Sequence, residues 1–250
     1  MPRIRLDLSY DGTMFCGWQL QKTDPSVQGA LETALETLTG TMTRVIGSGR
    51  TDSGVHALNQ TAHFDSDASI PPEKYSLALN SILPPGVRIY RSLAVGEDFH
   101  ARFSARKRTY RYYIKPGPKT SPFCESRVYR IRRYPDILQL NTLASALIGT
   151  HDFTTFTAAG DASDSRVRKI VAASFFPKGG LLVFQISGNA FLWRMVRSIV
   201  GTLLDLEQKG EEPQMLEKII SARDRNFAGP TAPAQGLYLY KVYYNEPYSD

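Results

Sequence analysis

Gly47-Ser48-Gly49-Arg50-Thr51-Asp52-Ser53-Gly54-Val55-His56-Ala57-Leu58 is the stretch around which the chain is organised. Three glycines within eight residues mark backbone that turns sharply or lies close against something else. Val45 and Ile46 just ahead predict a short strand over 43–46 entering the loop. Residues two apart in an extended segment point to the same side, so the Arg50 guanidinium and the Asp52 carboxylate can meet there. An arginine beside a carboxylate keeps it ionised, which suits a nucleophile better than an acid. On residue types alone the pair reads either as a loop ion pair or as a catalytic group at a strand end.

Outward from this loop the chain alternates strands and amphipathic helices. Ile4, Leu6, Leu8 and Tyr10 alternate with Arg3, Arg5, Asp7 and Ser9, which predicts a half-buried strand with a polar face. A glycine-punctuated loop over 10–19 follows, in which Trp18 reads as core or loop packing. Ser26 caps a helix whose apolar residues recur at three and four, and Gly40 closes it. Strands are expected at 60–64 and 87–95, with a helix at 73–82 between proline breaks. The stretch 99–108, basic and broken by Phe99 and Phe103, reads as a solvated loop or as a phosphate-facing surface with aromatic anchors. A strand at 109–115 puts Tyr110, Tyr112 and Ile114 on one face.

A soft boundary at Gly117 divides 1–116 from 117–250. The second half predicts a helix at 136–148, a loop at 151–156 and strands at 168–176 and 181–187. A long helix at 189–208 carries the stripe Leu192, Met195, Val196, Ile199, Val200 and Leu203. Arg197 falls on the edge of that stripe beside Gly201, where it either snorkels or aims into a cleft. A strand at 237–244 follows. Both halves therefore read as α+β.

The net charge of +6 and pI of about 9.3 fit a polyanionic partner. Cys16 and Cys124 give no disulfide framework, and the four histidines lack metal-ligand spacing. No apolar run reaches spanning length, and no signal peptide precedes the first strand. A reducing, cytoplasmic setting with neither metal nor membrane is the expectation.

Gly49-Arg50-Thr51-Asp52-Ser53-Gly54-Val55-His56-Ala57 resembles the active-site signature of the tRNA pseudouridine synthase I family, with Ser53 where alanine is usual. The segment 10–19, the Tyr110-x-Tyr112 strand, the His151-Asp152-Phe153 loop, Met195-Val196-Arg197 with Gly201, and Ala232-Pro233 with Gly236-Leu237 resemble further parts of that family in the same order. The resemblance implies two similar α+β domains with mainly antiparallel sheets joined over a central cleft, of pseudouridine synthase type, and a homodimer. It implies Asp52 as the catalytic residue, Tyr110 in the active site, and Arg50 and Arg197 beside the substrate. The implied activity is isomerisation of uridine to pseudouridine in the anticodon stem-loop of tRNA, at positions 38–40, with no cofactor. Two other readings stand beside it: a hydrolase of N-glycosidic bonds, and an RNA-binding module without catalysis.

Overall fold

The alternation at the start of the chain becomes β1 (Arg3–Tyr10) in the computed structural model, which describes residues 1–245. In chain order there follow α1 (Val27–Thr39), β2 (Ile46–Gly47), β3 (His56–Asp65), α2 (Tyr75–Asn80), β4 (Val87–Val95) and β5 (Lys107–Pro116). Then come α3 (Pro122–Glu125), β6 (Tyr129–Ile131), α4 (Ile137–Ser145), β7 (Gly149–Asp152) and β8 (Val167–Lys178). β9 (Leu181–Gly188), α5 (Met195–Lys209), α6 (Pro213–Ala222) and β10 (Leu237–Tyr243) complete the order. The class is α+β, as the alternation of patterns led one to expect.

These elements form two compact units. One is Met1–Arg106 with the stretch from Tyr238 onward, and the other is Lys107–Leu237. The division thus falls ten residues before the expected boundary, and β10 joins the first unit because it pairs in parallel with β3, Tyr238 opposite His56. In the first unit β1 lies between β3 and β4, antiparallel to both, and β2 adds to β3. In the second, β9 lies between β5 and β8, β7 follows β8, and all of these pairings are antiparallel, while β6 runs parallel to β5.

Local sequence explains the helix that backs the first sheet. The Ser26 hydroxyl accepts the Gly29 N–H at 3.2 Å, and Gly40 at φ 71° ends α1. Its apolar stripe buries Val27, Leu31 and Leu35 completely, each worth about 1.5–3 kcal/mol relative to exposure. In the second unit α4 is stitched to β8 by Asn141, whose side-chain amide donates to the Phe175 carbonyl at 3.0 Å and accepts its N–H at 2.7 Å. Leu140, Leu143, Phe184, Ile199 and Leu203 fill that core.

The middle of the polar face of β1 is not solvated. Arg5 and Asp7 are buried and bonded to each other at 2.9 Å. Arg91 from β4 grips the other Asp7 oxygen at 2.7 and 2.9 Å, and the Arg5 guanidinium lies 5.0 Å from the Tyr244 ring centroid. Paired charges covered by an aromatic ring satisfy one another without water. Among the described residues no helix is long and apolar enough to cross a membrane.

Candidate active site

Asp52 sits on a loop held from two sides. On one side is the segment 10–19. The Trp18 N–H donates to the Thr51 carbonyl at 3.1 Å, and the hydroxyls of Tyr10 and Thr51 share a hydrogen bond at 2.9 Å. Two glycines permit this approach. A Cβ on Gly12 would stand 2.2 Å from the Val55 carbonyl oxygen, and one on Gly17, at φ +95°, 2.5 Å from the Thr51 oxygen.

On the other side is β3. Its buried Gln60 donates through Nε2 to the Gly49 carbonyl at 2.9 Å and accepts the Ser48 hydroxyl through Oε1 at 2.5 Å. The Ser48 N–H reaches the Thr61 carbonyl at 2.7 Å. Between these anchors the Val55 N–H closes a turn on the Asp52 carbonyl at 3.1 Å. The carboxylate of Asp52 is therefore carried half-buried on backbone fixed both before and after it.

Arg50 lies two residues before Asp52 on the same loop. β2 ends at Gly47, so Arg50 and Asp52 lie in the loop beyond it and not on a strand. Arg50 is exposed, and Asp52 is half-buried. His56, four residues after Asp52, opens β3; its Nδ1 accepts the Gly12 N–H at 3.1 Å and its ring stacks on Tyr238 at 4.5 Å.

Tyr110 and Arg197 lie in the second unit. Tyr110 is on β5, 8% exposed, with its ring edge-on to Phe191 at 5.0 Å. Two residues along, burial pushes the Tyr112 phenol far above its ordinary pKa, and its hydroxyl donates to the Pro233 carbonyl at 2.7 Å. Arg197 stands in the first turn of α5. Its Nε donates to the Ala232 carbonyl at 2.8 Å, and the Ala232 N–H returns to the Arg197 carbonyl at 3.1 Å. The segment 230–232 can lie this close because position 201 has no side chain; a Cβ there would meet the Pro230 oxygen at 1.7 Å. Tyr112 and Arg197 thus hold the same segment from strand and helix.

The basic stretch that follows β4 divides its residues between core and surface. Phe99 and Ala101 are buried, whereas Phe103 is 73% exposed and packs on His100 at 4.4 Å with the Arg102 guanidinium 5.6 Å from its ring. Arg108 is buried too, whereas Arg102 and Arg106 are exposed. Behind them burial, together with the charges of Arg3 and His100, lowers the pKa of His63 to about 4. Its Nδ1 accepts the Ala101 N–H at 3.1 Å, which requires the neutral ring.

The residues that fix the Asp52 loop include several that spacing alone did not single out. Gln60 had no signal beyond its place in a strand. The glycine punctuation at Gly12 and Gly17 was visible, but not what it would lie against. Among the described residues no three His, Cys, Asp or Glu side chains gather as a metal ion would require.

Comparison with known proteins places these features in a wider set. A family model described as tRNA pseudouridine synthase matches residues 8–104 and 143–245, which include Asp52 and Arg197. A protein of Treponema denticola named tRNA pseudouridine synthase A is 48% identical over 249 residues, covering 97% of this chain and 93% of its own length. Proteins of the same name from Borrelia duttonii and Bacillus licheniformis are 41% and 42% identical, covering 98% and 97% of this chain and 100% and 99% of their own lengths.

Proposed function

Since the chain belongs to the tRNA pseudouridine synthase family, we propose that it isomerises uridine to pseudouridine in tRNA, acting on the anticodon stem-loop. The observation that carries this reading is the Asp52 loop, a half-buried carboxylate on clamped backbone within the matched stretch 8–104. The reaction conserves atoms. The bond from N1 to C1′ breaks, the uracil turns over, and C5 bonds to C1′. The proton on C5 leaves and N1 gains one, so no oxidant, reductant or group donor is consumed.

In this reading Asp52 acts as an ionised carboxylate on the ribose, either attacking C1′ or taking the C2′ proton. Arg50 and Arg197 orient it and hold charge as the glycosidic bond opens. Tyr110 packs on the uracil, and its hydroxyl handles the C5 proton. The target base leaves its stack to reach these groups, at a cost of roughly a few kcal/mol. Phosphate contacts from the basic stretches offset that cost. A homodimer and a cytoplasmic location belong to the same reading and rest on the family likeness; sedimentation of the purified protein tests the first.

The deciding experiment is pseudouridine mapping on unmodified tRNA transcripts with the native protein and with Asp52→Asn. Product from the native protein, none from the variant, and equal tRNA affinity for both is the expected result. Release of free uracil would point instead to a hydrolase. Binding with every uridine left unchanged would point to a module without catalysis.

A further inference from the structure

The turn between β9 and α5 exposes a large aromatic ring on unusually constrained backbone. Leu192 is buried, while its neighbours Phe191 and Trp193 go the other way, and Phe191 is the ring that meets Tyr110. Trp193 is 43% exposed. Its N–H donates to the Asp161 carboxylate at 2.6 Å and its carbonyl accepts the Ala158 N–H at 3.1 Å, so the main chain is pinned on both sides. Asp161 is itself buried and saturated, accepting the Ser163 N–H at 2.8 Å and the Arg166 guanidinium.

The next residue, Arg194, has φ 60°, a left-handed conformation that a side chain other than glycine's adopts at a cost. Its guanidinium lies over the indole, 5.0 Å from the centroid. Holding a tryptophan outward with a buried carboxylate, a strained residue and a covering cation gains nothing for the core. A nucleobase is the ligand that matches an indole face beside a cation, since base and ring stack while the guanidinium meets the adjoining phosphate.

We propose that Trp193 is a stacking platform for a tRNA base neighbouring the target uridine, with Arg194 on its phosphate and Asp161 as the positioning residue. The inference rests on the tRNA reading above and adds a specificity contact that the Asp52, Tyr110 and Arg197 roles do not include.

The test uses the full chain and an unmodified tRNA transcript. Trp18 and Trp193 are the two tryptophans, and Trp18 is 2% exposed, so acrylamide quenching of the native protein reports chiefly on Trp193. Saturating tRNA should shield that emission from acrylamide, and the effect should be missing in Trp193→Phe. Trp193→Ala should raise KM for tRNA about tenfold with kcat within about twofold, and Trp193→Phe should recover most of the loss. Unchanged acrylamide access in the presence of tRNA, with pseudouridine still formed, overturns the platform and leaves the enzyme reading intact. Shielding without any pseudouridine overturns the enzyme reading and keeps Trp193 as an RNA contact. If Trp193→Ala fails to fold, the native quenching and the phenylalanine variant still decide.

Discussion

His63 binds its proton less readily in the folded chain than in the unfolded one, and this difference couples stability to pH. Its pKa of about 4 lies below the ordinary 6.5, so as pH falls the unfolded chain is protonated first. The native state should therefore be fully favoured above about 6.5 and lose up to about 3 kcal/mol between there and 4. Asp161 acts later. Burial works to raise its carboxyl, but hydrogen bonds from Trp193, Ser163 and Arg166 outweigh burial and hold it at about 2. Its contribution is present above 3.8 and is lost only as pH falls toward 2. Urea melts at pH 7.5 and 4.5 should show the first loss, and His63→Gln should flatten it; equal midpoints at both pH values for the native protein would refute the assignment. At this scale the sequence was informative about identity more than position. Asp52 stood out by its glycine-flanked motif, but the side chains that brace its loop, Gln60 above all, carry no local signal.

Among the elements, α5 shows how tertiary contacts move a boundary. The helix was expected from 189, yet it starts at Met195, because Arg194 just before it is left-handed at φ 60° and the Trp193 main chain is bonded to Asp161 and Ala158. α6 went unpredicted although Pro213 occupies its first turn and Leu216, Ile219 and Ile220 share its buried side. By contrast α1 was readable at both ends, since its serine cap and terminal glycine are local signals. The packing of α5 makes a sharp prediction. In Gly201→Ala the new methyl meets a backbone carbonyl that cannot rotate away, so stability should fall by about 3 kcal/mol or more. Since Arg197 stands one turn earlier and holds the same segment, kcat should fall with it. A thermal melt and a turnover assay on one preparation check both; a variant with native Tm and kcat would show the segment to be freely displaceable. Gly12→Ala should act on the Asp52 loop in the same way, lowering kcat more than it raises KM for tRNA.

For the molecule as a whole, the charge of +6 should make tRNA binding fall as salt rises. Between 50 and 200 mM salt the affinity should drop about tenfold or more, as filter binding or anisotropy would show. A flat response would mean that the exposed arginines do not meet phosphate. Class and strand pattern were legible at this scale because alternation and helical periodicity are local. The grouping into units was less so: the parallel pairing of Tyr238 with His56 joins strands with the entire second unit between them in sequence, and nothing near either strand announces it. The buried polar face of β1 has the same origin, since Tyr244 comes from the far side of that insertion.

That insertion sets an order of events during biosynthesis. The strand that bears His56, just past Asp52, lacks its β10 neighbour until the ribosome has translated all of Lys107–Leu237. A nascent chain released earlier would hold the aspartate loop without the Tyr238 ring that stacks behind it. Maturation of the aspartate's own unit is thereby timed to follow synthesis of the other, and a prematurely terminated polypeptide leaves the exit tunnel with an unfinished sheet edge for quality-control proteases to recognise.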